Sequence, residues 1–471
     1  MNYKSDKLRL NKSKIGFISL GCPKNQIDTE VMLKILSDNG YDIVAEDIRA
    51  DIIIVNTCAF LESAKKEAIE NILDVAWLKK NGNLKGIIVC GCLAERYREE
   101  ILKEIPEADA VVGVFSIHDI VEAVRHIENK NKDNKNKNDE KYISLKPREN
   151  FELGGERILT TPEYTAYIKI AEGCDNHCSY CVIPSIRGKF KSRTFEGIIK
   201  EANELADIGV KELCVVAQDT TRYGLDLYGE YKLPELLEKL CEIDGIKWIR
   251  LLYCYPDKIT DEIINTIKSN EKILKYIDMP IQHINDGILK SMNRSGGSEA
   301  IKSAIKRLRG NIPEIIIRTT VITGFPGETK EQFNELCEFI KETEFGRLGA
   351  FSYSAEEGTP AFGFENQVSE KEKERRRKSI MSIQEHINYN HNKKKIGETI
   401  QVLCEGYDVM NKVYYGRSAD DAPEIDGKVY FTVKSEKSDR AGKKIKEGSF
   451  VDVKIEKVID YDLFGIKEEI L

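Results

Sequence analysis

The stretch AEGCDNHCSYCVIPSIR, residues 171–187, sets three cysteines, Cys174, Cys178 and Cys181, within eight positions. The apolar run before it, YTAYIKIA at 164–171, reads as a β-strand, so the cysteines fall at a strand's carboxyl end, where parallel sheets and barrels bind their ligands. A soft metal centre needs several thiolates, and short spacings let one loop wrap it while few backbone torsions are fixed. Structural zinc and ferredoxin-type clusters take four protein ligands. Three cysteines on one loop therefore suit a cluster that keeps one iron open for a substrate or cofactor. On the residues alone, three other readings compete: zinc completed by His177 or a distant cysteine, a disulfide, and thiols close by chance.

Downstream the strand-like runs continue with KELCVVAQ (211–218), KWIRLLY (247–253), YIDMPIQ (276–282), EIIIRTTVITGF (314–325) and RLGAFSYS (347–354), separated by helical patterns such as FEGIIKEANELADIG. Counting the first run, six strands alternating with helices predict an open (β/α)6 barrel. Gln218 and Asp219 end its second strand, and GFPGE (324–328) ends a later one. Glycines there serve either a close backbone approach to a cofactor or a plain turn. His283 reads as a satisfied structural residue, and KEKERRRK (371–378) as the solvated start of a helix running to about Lys395 rather than an RNA grip.

Upstream, KIGFISL (14–20), DIIIVNT (51–57), KGIIVC (85–90) and VVGVF (111–115) alternate with helical patterns, one through Ile27, Val31, Leu33, Ile35 and Leu36 and another from about Glu62 to Lys79. This predicts an N-terminal parallel-sheet α/β domain. Cys22, Cys58 and Cys92 each sit at or just past the end of a strand. Since those ends share one edge of a parallel sheet, the three thiols are expected to converge despite separations of 36 and 34 residues. Small residues are also common in such turns, which is the plainer explanation. Cys90 competes with Cys92, and the turn position favours Cys92.

Residues 128–141, ENKNKDNKNKNDEK, are too polar to build a core and read as a linker or surface insertion. From about Glu398, short β runs with Gly, Asp and Asn turns predict a small antiparallel OB-like β-barrel. The expected domains are thus 1–127 (N-terminal), 128–159 (linker or insertion), 160–395 (central barrel with a trailing helix) and 396–471 (small barrel).

Twelve cysteines among 471 residues, with no apolar signal core at the N-terminus and no uncharged apolar run of membrane length, predict a cytoplasmic protein with no membrane partner. In that reducing compartment the cysteines are not a disulfide framework. A net charge of −7 argues against bulk nucleic acid as the main partner. Residues 397–471 hold 16 acidic and 12 basic residues, which suits a basic protein better than RNA.

The Cys-x3-Cys-x2-Cys spacing, with the aromatic Tyr180 before its third cysteine, resembles the signature of radical S-adenosylmethionine (SAM) enzymes. Across essentially its whole length the chain resembles the methylthiotransferases, whose order is an N-terminal domain with three separated cysteines, a radical SAM barrel and a C-terminal TRAM barrel. GCPKN (21–25), AQDTTRYG (217–224), RLLYCYP (250–256) and DAPEIDG (421–427) are similar to the branch that modifies an aspartate of the twelfth small-subunit ribosomal protein. The transfer-RNA branch typically carries GCQMN in place of the first.

The resemblance implies two [4Fe–4S] clusters, one on Cys174, Cys178 and Cys181 and an auxiliary one on Cys22, Cys58 and Cys92. It further implies two SAM molecules per turnover, as radical source and methyl donor, an electron donor and a sulfur source. Tyr180 is expected to stack on adenine, Gln218 and Arg193 to meet the polar ends of SAM, and no catalytic residue is expected beyond the cluster ligands. A transfer-RNA methylthiotransferase and a non-catalytic metal-cluster protein docked on the ribosome are the alternatives.

Overall fold

The computed structural model describes residues 12–45, 47–132, 140–151, 153–433 and 444–467. Two compact units emerge: one of Met1–Thr161, Lys169–Glu201 and Ser354–Phe362, the other of Pro162–Ile168, Ala202–Tyr353 and Gly363–Leu471.

The first unit is built on a parallel sheet of order β2-β1-β3-β4-β5-β6. Its strands are β1 (Lys14–Ser19), β2 (Asp42–Val44), β3 (Ile52–Thr57), β4 (Gly86–Gly91), β5 (Ala110–Val112) and β6 (Tyr142–Ser144). The centre is set by β3, IIIVNT, and β4, GIIVCG, every residue of which is buried. Such continuous β-branched runs mark strands covered by helices on both faces. The helices Pro23–Asp38 and Glu62–Asn81 follow β1 and β3, the first opening on a proline, whose missing N–H costs nothing at that position.

Two strands escape the sequence reading. β2 and β6 are three-residue edge strands that are mostly not buried, and β6 lies within the stretch expected to be a linker. The helix Ile120–Lys132 also runs into the Asn/Lys-rich segment, because Ile127 is fully buried against the core and holds the preceding turn in place. Residues 133–139 of that expected insertion lie outside the described residues.

Along the chain β7 (Thr165–Lys169) is followed by the short hairpin strands β8 (Ala171–Glu172) and β9 (Lys191–Ser192), which belong to the first unit, and then in the second unit by β10 (Glu212–Val216), β11 (Trp248–Leu251), β12 (Ile273–Asp278), β13 (Ile316–Thr323) and β14 (Arg347–Ser352). The six long strands form one sheet in the order β14-β13-β12-β11-β10-β7, the open (β/α)6 pattern. The helix Glu370–Lys394 trails it. Its basic run is satisfied internally: Arg375 and Arg376 pair with Glu372, and Arg377 with Glu374. Lys373 and Arg376 are nevertheless buried rather than solvated.

The C-terminal strands β15 (Thr399–Asp408), β16 (Val413–Ser418), β17 (Val429–Val433), β18 (Phe450–Ile459) and β19 (Asp462–Lys467) close a barrel of order β15-β16-β17-β19-β18. One pair departs from the expected antiparallel pattern, since β17 and β19 run parallel, which is what closes the ring.

The barrel is latched onto the central sheet by buried charge. Arg417 places Nη2 2.6 Å from Glu212 Oε2, and Arg250 places Nε 2.8 Å from Glu212 Oε1. Burial raises the Glu212 pKa, but the two guanidiniums outweigh it and hold it down at about 2. The DAPEIDG loop joins the latch: Asp421 pairs with Arg347 at 2.5 Å, and Asp426 accepts from the Tyr276 hydroxyl at 2.8 Å. These carboxylates, read from the sequence as part of an acidic face for a basic partner, are spent inside the protein.

Candidate functional site

The GCPKN turn carries Cys22 to the N-cap of the helix Pro23–Asp38, where the amides of Asn25 and Gln26 bond its carbonyl at 2.9 and 3.1 Å. Gly21, at φ +99°, lies so close to the second cysteine that a Cβ would stand 2.8 Å from Cys58 Cβ. Gly91, at φ +87°, has no room for a Cβ against Asn56 and the Thr57 carbonyl, and it turns the chain into Cys92.

Side-chain amides stitch these turns together. Asn25 Nδ2 donates to the carbonyls of Leu20 and Thr57 at 2.7 and 3.1 Å, and Asn56 Nδ2 donates to the Asn25 carbonyl at 2.8 Å. Thr57 Oγ1 donates to the Cys90 carbonyl at 2.5 Å and accepts from Leu93 N at 3.3 Å.

The three thiols feel one another. Burial pushes the Cys58 thiol up, and the nearby Cys22 sulfur adds to this. Burial likewise pushes Cys92 up to about 12, with Cys22 and Cys58 adding and Arg187 opposing. Cys90 lies with its Sγ 3.6 Å from the Val55 carbonyl, and burial, with Asp28 and Cys92 adding, pushes its thiol up. Cys92 is the member of the pair whose thiol is raised by both Cys22 and Cys58. Protonated thiols crowded together are what a metal cluster would deprotonate on binding.

In the central motif the antiparallel pair β8 and β9 brackets the loop, with Glu172 opposite Lys191. Cys174 N donates to the Gly188 carbonyl at 2.8 Å, Phe190 N to Asp175 Oδ1 at 3.0 Å, and Cys181 N to the Cys178 carbonyl at 3.0 Å. Asn176 Nδ2 stands 3.5 Å from Cys174 Sγ, a donor suited to a cluster-bound sulfur. Cys174 and Cys178 are buried, Tyr180 and Cys181 half-buried, and His177 is exposed. None of the twelve cysteines, all among the described residues, is in a disulfide. Among those residues no three His, Cys, Asp or Glu side chains close to metal-ligand spacing as the chain stands.

A buried ion network, which the sequence reading did not find, joins the two motifs within the first unit. Lys169 Nζ lies 2.5 Å from Asp28 Oδ1 and 2.8 Å from Glu172 Oε2. Arg187 Nη1 lies 2.8 Å from Glu172 Oε2, and its Nη2 3.0 Å from Asp28 Oδ2. Burial works against the Lys169 ammonium, but the two carboxylates outweigh it and raise its pKa. A lysine inside the apolar run YTAYIKIA was the available signal. The segment Ser354–Phe362 was also missed: Glu356 pairs with Arg96 at 3.0 Å and Lys65 at 3.2 Å, and Ala361 N donates to the Ser179 carbonyl at 2.8 Å.

Arg193 directs Nη1 to the Lys169 carbonyl at 2.8 Å and to Glu201 at 2.6 Å. In the second unit, Gln218 is half-buried just past β10, and its neighbour Asp219 pairs with Lys258 at 2.9 Å. His283 fits the structural role expected of it, with Nε2 3.3 Å from Glu328 Oε1 and Nδ1 accepting from Asn285 N at 3.0 Å. Glu328 also pairs with Arg376 at 2.9 Å, so it clamps the GFPGE turn to the trailing helix.

Comparison with known proteins defines the class first. Residues 168–340 match the radical SAM superfamily, residues 14–113 the uncharacterized protein family UPF0004, and residues 396–466 the TRAM domain. A structure of the radical SAM methyltransferase TsrM from Kitasatospora setae shares the fold, with a TM-score of 0.54 at 14% identity over 72% of each chain. The chain is 50% identical to the ribosomal protein uS12 methylthiotransferase RimO of Thermoanaerobacter sp. strain X514 over 96% of its own length and 99% of that protein. It is 48% identical to the RimO of Desulforamulus reducens over 96% of its own length and 98% of the relative. It belongs to the RimO family of radical SAM methylthiotransferases.

Proposed function

We propose that this chain adds a methylthio group to the β-carbon of an aspartate in uS12, the twelfth small-subunit ribosomal protein, in the cytoplasm. The observation that carries the reading is the pairing of two three-cysteine sets within one compact unit of a chain related to uS12 methylthiotransferases over nearly its full length.

The donor sets fit the groups the family implies, since each is three soft thiols and nothing harder. Cys174, Cys178 and Cys181 would hold one [4Fe–4S] cluster and Cys22, Cys58 and Cys92 a second, while Tyr180, Gln218 and Arg193 are assigned to SAM. Bound there, clusters and SAM supply the one-electron chemistry that an unactivated C–H bond demands and that no side-chain acid, base or nucleophile provides. Two SAM molecules per turnover, an electron donor and a sulfur source complete the requirements. The protein's own part is to hold and shield. Cys92, Cys174 and Cys178 are buried and Cys22, Cys58 and Cys181 half-buried, which limits the access of water to the sulfurs, and the Asn25, Asn56 and Thr57 bonds fix the turns from which the N-terminal ligands project.

Mass spectrometry of uS12 and of transfer RNA from a deletion strain tests the proposal. The expected result is an unmodified uS12 aspartate with transfer-RNA methylthiolation intact. A missing methylthio group on transfer RNA with uS12 still modified would overturn it. Anaerobic reconstitution should give about eight irons per chain, four for each cluster, together with SAM cleavage to 5′-deoxyadenosine, whereas zinc occupancy without cleavage would leave only a binding protein.

A further inference from the structure

Arg187 is a buried cation of the first unit that touches both cysteine motifs. It lies six residues past Cys181, is 1% exposed, and directs Nη1 to Glu172, two residues before Cys174. Its Nη2 faces the other motif, 3.4 Å from Cys92 Sγ and 3.0 Å from each of Asn25 Oδ1 and Asp28 Oδ2. Two cations, Lys169 and Arg187, balance two carboxylates, Asp28 and Glu172. A Cys92 thiolate is therefore an additional negative charge, and the guanidinium is the donor aimed at it.

We infer that Arg187 is a positioning residue that raises the reduction potential of the N-terminal cluster through its charge-assisted hydrogen bond to the Cys92 sulfur. Iron–sulfur potentials follow net charge, hydrogen bonds to the sulfurs and exposure to water. A buried positive donor acts on the first two at once, stabilising the more negative, reduced form. The planar guanidinium suits this place, because its rigid fork serves Glu172 with one nitrogen while the two N–H bonds of the other are shared among Asp28, Asn25 and the Cys92 sulfur. The inference rests on the assignment of Cys22, Cys58 and Cys92 as cluster ligands.

The test is a redox titration, followed by electron paramagnetic resonance, on the full-length chain carrying C174A, C178A and C181A, so that one cluster contributes. If this background binds no iron, the ligand assignment itself fails. With iron bound, R187Q should lower the reduced-to-oxidised ratio at a fixed potential at least tenfold, equivalent to 59 mV for a one-electron couple. R187K, which keeps the charge, should recover part of the shift. D28N/R187Q restores the neutral balance of the network without restoring the donor and should remain below the parent. A parental potential in R187Q and D28N/R187Q with full iron would overturn the inference. So would loss of iron from the charge-balanced double variant, since Arg187 would then belong to the scaffold holding the ligands.

Discussion

The two cysteine motifs solve one problem by opposite means. The central three lie on a loop of eight residues closed by its own hairpin, so their proximity is encoded locally. The N-terminal three follow three strands of a sheet and are brought to one edge only because β1, β3 and β4 pair side by side and end there. A local motif survives strain elsewhere in the chain. A dispersed one is only as good as the core that aligns it, and its assembly costs the loop-closure entropy of long segments.

The sharpest way to break the comparison is to remove one ligand from each set. Cys178→Ala should abolish SAM cleavage, assayed as 5′-deoxyadenosine by chromatography, while the N-terminal irons remain. Cys58→Ala should spare cleavage and lose methylthiolation of uS12. Next in size is the core beneath the dispersed set. Ile54→Ala, at a fully buried position in β3, should cost about 2–5 kcal/mol in urea unfolding. Its iron loss should fall on the N-terminal cluster, and equal loss from both would erase the distinction. Asn25→Ala leaves the Leu20 and Thr57 carbonyls without their donor, and about 1–3 kcal/mol of destabilisation is expected, with N-terminal iron released faster to a chelator. The smallest effect belongs to Asp175→Ala, which removes one acceptor from the Phe190 amide. A cost of about 1 kcal/mol with central iron unchanged is the outcome that short spacing predicts.

Much of this was legible in the residues. Continuous β-branched runs announced β3 and β4, and the six central strands fell where apolar runs alternated with helical patterns. The edge strands β2 and β6 were not legible, because they are as short as β5 but lie at the sheet's edges and lack its buried apolar run. The cysteines announced themselves by type and place. Asp28, Lys169, Glu172 and Arg187 did not, although Glu172 and Arg187 stand near the two ends of the stretch read first. Pairing between residues 141 positions apart, as in Lys169 and Asp28, leaves no trace in spacing. The acidity of the C-terminal barrel was legible as a count but misleading as a surface, since Asp421, Asp426 and Glu405 all face cations within the protein.

The latch at Glu212 has a bearing on how such chains diversify. Because Arg417 completes a pair that begins in the central sheet, the C-terminal barrel cannot be exchanged like a tag on a string. A graft that brought a new barrel without a cation at this point would leave the buried Glu212 with one guanidinium, that of Arg250, in place of two. Inheritance of the barrel, in nature or by recombination at the bench, therefore has to carry Arg417 and the loop 418–427 along with it.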